Sequence, residues 1–138
     1  MTIEFINGLE NDLVFLLNMS GWDLKCVADQ YSRFDAIGFD INGKKCIIEL
    51  KFRKDFYKDK ILELKKYDAM MAEDAAKRYY GVIDPEGCWV YDFDDIDLNN
   101  GGYLKCPANT IRENAPKEMK PVYYLKRPES YFYRFNFF

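Results

Sequence analysis

Residues 33–54 read RFDAIGFDINGKKCIIELKFRK, and this stretch decides the fold. Two runs rich in β-branched and aromatic residues flank Asn42-Gly43, a dipeptide typical of tight hairpin turns. In the second run Glu49 and Lys51 are two positions apart, so a strand places both side chains on one face. The opposite face of this strand is apolar, with Cys46, Ile48, Leu50 and Phe52. The stretch therefore predicts a β-hairpin whose second strand presents a carboxylate and an ammonium group together.

The length of the hairpin loop decides whether Asp35, on the first strand, joins this pair. A two-residue loop places Ala36 opposite Glu49 and leaves Asp35 on the apolar face, where an unpaired carboxylate is costly. A three-residue loop of residues 41–43 places the glycine in the left-handed position of a type I turn with a bulge, and Asp35 then lies opposite Glu49. We predict the three-residue loop, because it separates polar from apolar positions in both strands.

The pattern Asp-x13-Glu-x-Lys on a hairpin between two helices resembles the PD-(D/E)xK nuclease superfamily. Residues 47–54 are particularly similar to archaeal-type Holliday junction resolvases. The resemblance spans residues 5–95 as an order of elements, and its diagnostic residues are Asp35, Glu49 and Lys51. One departure is Phe34, which stands where the superfamily's name has proline.

Asp35 and Glu49 would repel each other unless a cation lay between them, and Mg²⁺ or Mn²⁺ suits such oxygen ligands. The resemblance implies that these carboxylates and the backbone carbonyl of Leu50 hold the metal ion, with Lys51 as a catalytic residue. The product would be a hydrolysed DNA phosphodiester, with junction or branched DNA as a candidate substrate. The alternative is a catalytically inactive protein of the same fold that binds nucleic acid or protein.

Two further residues enter by the same resemblance. Members of the family often have a glutamate on the first helix that reaches the metal site, which makes Glu10 a catalytic candidate. The spacing from Asn7 to Glu10 also fits a capping box, which would give Glu10 a structural role instead. A glutamine or lysine on the second helix often faces the site, and Lys65 is the corresponding candidate.

Charge is distributed unevenly along the chain. The net charge is −3, yet residues 44–66 hold nine basic and four acidic residues. A local basic stripe of this kind is typical of a surface that binds a phosphate backbone, although a solvated helix face gives the same pattern. The residues predicted to bind DNA are Lys44, Lys45, Arg53, Lys54, Lys58 and Lys65.

Composition restricts the chemistry and the compartment. The chain has 138 residues and no histidine, which excludes Ser-His-Asp and Cys-His catalysis. Its four cysteines show no Cys-x-x-Cys spacing, so we expect reduced thiols. No stretch is typical of a signal peptide or membrane span, so we expect a cytoplasmic protein without a membrane partner.

The predicted fold class is α/β: a single domain, 1–138, with a restriction-endonuclease-like core over about residues 3–95. Periodicity and turn signals predict a helix at 3–20, a three-stranded antiparallel meander, a helix at 56–78 capped by Asp55, and strands at 79–83 and 88–93. A helix is expected on each side of a mixed sheet. Residues 96–130 are expected to be irregular.

The C-terminal residues 131–138 alternate aromatic side chains on both faces of a predicted strand. We predict that this strand contributes to a homodimer, because a terminal strand of this size leaves much apolar surface and an open edge. The alternative is a strand that completes the sheet of its own chain.

Overall fold

The structure is a computed structural model that describes residues 3–27, 32–56, 59–107, 117–126 and 131–134. The first helix, α1, spans Ile3–Met19 and leads into strand β1 at Asp23–Cys26. Strand β2 covers Ala36–Phe39 and β3 covers Lys45–Phe52. β1 pairs antiparallel with β2, and β2 with β3, so the predicted helix and meander are confirmed.

The hairpin between β2 and β3 has the three-residue loop. Ala36 pairs with Ile48 and Phe39 with Lys45, and Asp35, the residue before β2, therefore comes opposite Glu49. Gly43 has a φ of 77°, the left-handed conformation that the turn requires. The predicted register is confirmed.

Strands β5 (Lys77–Asp84) and β6 (Gly87–Asp92) form a second antiparallel pair, and a short 3-10 turn at Phe93–Asp95 follows. β5 lies parallel to β3, which joins the two pairs into one mixed sheet. The order of its strands is β1-β2-β3-β5-β6-β9, where β9 is Phe132–Tyr133.

Each face of this sheet carries a hydrophobic cluster. On one face Leu13 and Leu17 of α1 pack with Ile48 of β3 and Tyr79 of β5. On the other face the second helix, α2 (Leu64–Met71), buries Met70 in a cluster with residues of β3, β5 and β6, among them Ile47, Tyr80 and Trp89. A helix therefore lies on each side of a mixed sheet, as the sequence predicts.

The second helix is much shorter than predicted. α2 spans only Leu64–Met71, and residues Lys60–Glu63, which were expected to be helical, form strand β4. β4 pairs with the distant strand β8, where Lys60 lies opposite Leu125. Tertiary pairing overrides local helical periodicity here. Met70 is the methionine of α2 that is fully buried, whereas Met71 is exposed.

The expectation of an irregular segment after residue 95 is wrong. Strands β7 (Gly101–Pro107) and β8 (Lys117–Leu125) form a three-stranded sheet with β4, in the order β4-β8-β7. Pro121 pairs with Tyr103 of β7 and lies one residue outside the β4–β8 ladder, which ends at Glu63 opposite Val122, so it does not interrupt that ladder. Proline breaks the pattern in the sequence without breaking the strand.

The described part of the C-terminal strand belongs to the main sheet. β9 pairs antiparallel with β6, and the ring of Phe132 lies 4.0 Å from that of Trp89. Tyr131 and Tyr133 pack against the cluster on the α1 side. The alternation of faces is thus confirmed for these three residues, while residues 135–138 lie outside the described part of the chain.

Two remaining expectations concern cysteines and membranes. Cys26, Cys46 and Cys88 are free thiols, and Cys106 has no described side chain. None of the described helices has the length and apolar character needed to cross a membrane.

Candidate active site

Asp35 is held rigidly at the entrance to β2. Its Oδ2 accepts a 2.7 Å hydrogen bond from the Leu50 amide. Its own amide donates to the Ile48 carbonyl at 2.9 Å, and its carbonyl accepts from the Val27 amide at 2.9 Å. These contacts fix the Asp35 carboxylate at the middle of β3, beside Glu49.

Asp35 and Glu49 form a hydrogen-bonded carboxyl pair. Burial, followed by the nearby charge of Asp35, raises the pKa of Glu49 from 4.5 to about 8, and the protonated Glu49 donates to Asp35. Burial also raises the pKa of Asp35, although the Leu50 amide opposes that rise. At neutral pH the pair therefore holds a proton that a bound cation would have to displace.

Glu10 is the third carboxyl group at this place. It lies on α1, hydrogen bonds with Asp35, and is half-buried. Burial, the charge of Asp35 and that hydrogen bond raise the pKa of Glu10 to about 7. The structure therefore brings Glu10 to the candidate site. The alternative capping contact with Asn7 involves a side chain outside the described part.

Lys51 lies on the same face of β3 as Glu49, two residues further along. Burial, and then the nearby cation Arg53, lower the pKa of Lys51 from 10.5 to about 8, while Glu63 and Glu49 act in the opposite direction. An amine with this pKa is present in both protonation states near neutral pH. It can therefore either stabilise an anion or accept a proton.

The lysine of α2 that the structure places beside Glu49 is Lys66, whereas the sequence suggests Lys65. The Lys66 Nζ lies 3.3 Å from Oε1 of Glu49, whereas Lys65 forms no ion pair with any residue that the structure describes. Lys66 precedes the buried Met70 by one helical turn, which places both on the side of α2 that faces the sheet. That spacing is the signal in the sequence that identifies Lys66, once Met70 is known to be the buried methionine.

A second ion pair, which the sequence does not reveal, borders the site. Glu63 of β4 and Lys120 of β8 form a salt bridge of 3.0 Å. Glu63 is also close enough to Lys51 to raise its pKa. Because this arrangement depends on the pairing of β4 with a strand some sixty positions later, no local pattern could have found it.

The basic stripe is divided by the fold. Lys44 and Lys45 are exposed at the start of β3, whereas Arg53 and Lys54 follow its far end, about 25 Å away. Lys60 is buried, and its Nζ lies 2.5 Å from Oδ2 of Asp84, so this basic residue of the stripe has a structural role. Lys58 lies outside the described residues.

The donor set fits a hard divalent cation. Asp35 and Glu49 offer oxygen atoms, and the pKa of each carboxyl group is raised. Throughout the described ranges, however, no group of three or more His, Cys, Asp or Glu side chains is arranged to hold a metal ion. The fit therefore rests on the two carboxylates, with Glu10 as a neighbour of Asp35.

The helix, meander and parallel β5, with a helix on each face of the mixed sheet, define the restriction-endonuclease-like fold of the PD-(D/E)xK nucleases. The chain shares this fold with a solved structure, Hjc from Archaeoglobus fulgidus, which is a Holliday junction resolvase from an archaeal hyperthermophile. The TM-score is 0.50 at 19% sequence identity, over 64% of this chain and 72% of Hjc. The predicted resemblance is confirmed at the level of the fold. No family model matches the sequence, and no curated protein matches it.

Proposed function

We propose that this protein is a metal-dependent endodeoxyribonuclease that hydrolyses DNA phosphodiester bonds. The observation that carries the proposal is the carboxyl pair of Asp35 and Glu49, held opposite each other beside Lys51 in a nuclease fold. A substrate preference for junction or branched DNA is part of the proposal, and the fold shared with Hjc supports it. We also propose a cytoplasmic location.

Each residue has a defined task in this proposal. Asp35, fixed by the Leu50 amide, and Glu49 are the side-chain metal ligands, and the Leu50 carbonyl is the backbone ligand. Mg²⁺ or Mn²⁺ bound there would supply Lewis-acid stabilisation of the phosphate and lower the pKa of water. Lys51 stabilises the charge that develops on the phosphate or accepts a proton from the attacking water. Glu10 supports the position and charge of Asp35.

The DNA backbone would be held by basic residues that flank the site. Each neutralised phosphate contributes about −0.9 to the slope of log affinity against log salt concentration. Reversing the charges of Arg53 and Lys54 should reduce that slope by about 2, whereas reversal at Lys126, an exposed lysine after β8, should leave it unchanged. Lys44, Lys45, Lys58 and Lys65 are further proposed contacts.

Cleavage of a labelled branched duplex with Mg²⁺ or Mn²⁺ tests the function. Asp35→Asn, Glu49→Gln and Lys51→Ala should each slow cleavage about a hundredfold or more while the fold is retained. Asp12→Asn, at an exposed position of α1, is the matched control and should cleave normally. Ca²⁺ should support binding without cleavage. Full activity in the Lys51 variant would contradict the proposal.

A catalytically inactive binding protein is the second candidate. The contact that favours it is the ion pair between Lys66 and Glu49, since a structural ion pair needs no metal ion. A protein of this kind would bind DNA in Ca²⁺ and in Mg²⁺ with equal affinity and cleave in neither. Persistent binding without any divalent-dependent cleavage would therefore select this candidate.

A further inference from the structure

Within the part of the chain that the structure describes, one half of the sheet face that carries Asp35 and Glu49 is uncovered. Along β2, the side chains of Ile37 and Phe39 follow Asp35 on the same face at intervals of about 6.6 Å. Their exposed fractions are 37% and 46%, although both are large and apolar. Ile47, the partner of Ile37 on β3, is by contrast buried under the α2 side. Helix α2 thus stops short of β2.

A cavity of about 180 Å³ lies where this face meets the loop between α2 and β5. Its walls combine apolar side chains with one carboxylate and one ammonium group. The residues that line it include Ile37, Lys45, Ile47, Asp74, Ala75 and Ala76. Pockets for drug-sized ligands are larger, about 300–1,000 Å³, so the cavity suits a single small ring system.

The two charged residues of the cavity are both available to a ligand. Asp74 and Lys45 are exposed, and within the described ranges neither has an ion-pair partner. Asp74 can accept a hydrogen bond from an exocyclic amino group, and Lys45 can donate to a carbonyl or phosphate oxygen. Ile37 and the two alanines offer flat apolar contacts. Lys25, directly opposite Ile37 on β1, adds a second exposed cation.

We propose that this cavity binds one unpaired nucleobase of the DNA strand next to the phosphate at Asp35 and Glu49, and that Asp74 selects bases with an exocyclic amino group. Cytosine, adenine and guanine carry such a group, whereas thymine does not. Phe39 lies one sheet row further, where it can stack on the following base. This inference rests on the proposed function only in taking the same DNA as ligand.

Binding of labelled oligodeoxynucleotides of about twelve nucleotides, measured by fluorescence anisotropy in Ca²⁺, tests the inference. The wild-type protein should bind oligodeoxycytidylate about tenfold more tightly than oligodeoxythymidylate, since a good base contact contributes about 1–3 kcal/mol. Asp74→Ala should reduce this ratio to about one without weakening the binding of oligodeoxythymidylate. Asp68→Ala, an equal charge change at an exposed position of α2 outside the cavity, should preserve the ratio.

Two further variants separate the cavity from general effects on folding. Ala76→Leu fills the cavity with apolar atoms and should also abolish the preference for cytosine. Phe39→Ala should weaken binding of both oligonucleotides about tenfold, whereas Phe15→Ala, an aromatic of α1 with an exposed fraction of 64%, should not. Glu49→Gln should retain the preference although it does not cleave.

Equal binding of the two oligonucleotides by the wild-type protein, or an unchanged ratio in Asp74→Ala, would overturn the inference and leave the nuclease proposal intact. An absence of any DNA binding would also overturn it. A cytosine preference that depends on Asp74, in a protein that never cleaves, would support the cavity and refute the nuclease proposal.

Discussion

The Tyr79 hydroxyl donates a 2.7 Å hydrogen bond to Oδ2 of Asp40, a carboxylate buried at the end of β2. The other carboxylate oxygen, Oδ1, accepts from the amides of Asn42 and Lys44, at 2.9 Å each. β5 therefore anchors the hairpin loop whose length places Asp35 opposite Glu49. The register of the candidate active site is held by a contact at the opposite end of the hairpin.

Asp40→Ala should destabilise the protein at neutral pH by about 3 kcal/mol, because it removes three hydrogen bonds to a buried carboxylate. Tyr79→Phe removes one of them and should cost about 1–2 kcal/mol. Urea denaturation of the two variants measures both values. An Asp40→Ala variant as stable as the wild type would show that the turn residues alone hold the register.

The Asp40 carboxylate should also make the stability of the protein depend on pH, and its lowered pKa gives the sign of that dependence. Burial would raise the pKa of Asp40, but the hydrogen bonds from Tyr79, Lys44 and Asn42 outweigh it and lower the pKa below its usual range. Ionised Asp40 therefore stabilises the folded protein above a pH of about 4, the ordinary pKa of an aspartate. This stabilisation is lost as the pH falls through the lower pKa that Asp40 has in the folded protein. In Asp40→Asn this acid-dependent loss should be reduced.

The β2–β3 hairpin and the carboxyl pair of Asp35 and Glu49 could be predicted because the residues that determine them are close in sequence. The turn residues, the alternation in both strands and the three diagnostic residues all lie between Asp35 and Lys51. A register error of one residue would have buried Asp35 among apolar side chains, so the energetic difference between the two loops was large. Local patterns of this kind are readable in one sequence.

The bounds of the second helix could not be predicted in this way, because they depend on strand pairing with a segment distant in sequence. Residues 60–63 form a strand only because Val122–Leu125 pairs with them. The charged residues near the site share this dependence: Lys60 is buried against Asp84, and Glu63 pairs with Lys120. Their roles follow from contacts between segments far apart in sequence, and no periodicity within residues 56–78 encodes them.

Without metal, the protein should lose stability as the pH rises. The pKa of Glu49 is raised to about 8 in the folded protein, so the folded state binds the proton more tightly than the unfolded chain, where the pKa is near 4.5. The contribution of Glu49 to the free energy of unfolding is therefore complete below pH 4.5. It is lost, by up to a few kcal/mol, as the pH approaches 8. Glu10, with a pKa of about 7, should add to the same slope.

Urea denaturation in the presence of a chelator, repeated from pH about 4.5 to 8, measures this slope. Glu49→Gln should flatten it, whereas Asp12→Asn should not, since Asp12 is exposed. Added Mg²⁺ or Mn²⁺ should restore stability at the alkaline end, because an ion that binds only the folded state stabilises it. A slope that is equal in the wild type and in Glu49→Gln would contradict the raised pKa of Glu49.

Lys66 and Lys65 form a matched pair for testing which lysine of α2 acts at the site. Lys66 is among the groups that lower the pKa of Glu49, so Lys66→Ala should raise that pKa further and shift the acidic limb of the cleavage–pH profile to higher pH. Lys65→Ala removes the same charge from an exposed position and should leave the profile unchanged. A shift in the Lys65 variant alone would return the role to the residue that the sequence suggests.

The C-terminal strand supports a final prediction about assembly and stability. β9 is the outermost strand of the main sheet, so its free edge can pair with a second copy, and we propose the homodimer through this edge. The Nε1 of Trp22 donates a 2.8 Å hydrogen bond to the Tyr133 hydroxyl, and Phe132 stacks near Trp89. The strand therefore also stabilises its own chain.

Light scattering at micromolar concentration should show a dimer for the full chain and a monomer for a chain cut after Pro128. The cut chain should also lose about 3 kcal/mol or more, because it exposes Trp22 and Trp89 and removes their aromatic partners. Tyr133→Phe is the matched variant: it loses the hydrogen bond from Trp22, should cost about 1 kcal/mol, and keeps the edge of β9, so it should remain a dimer. A full-length monomer would refute the dimer and leave β9 as a strand that serves only its own sheet.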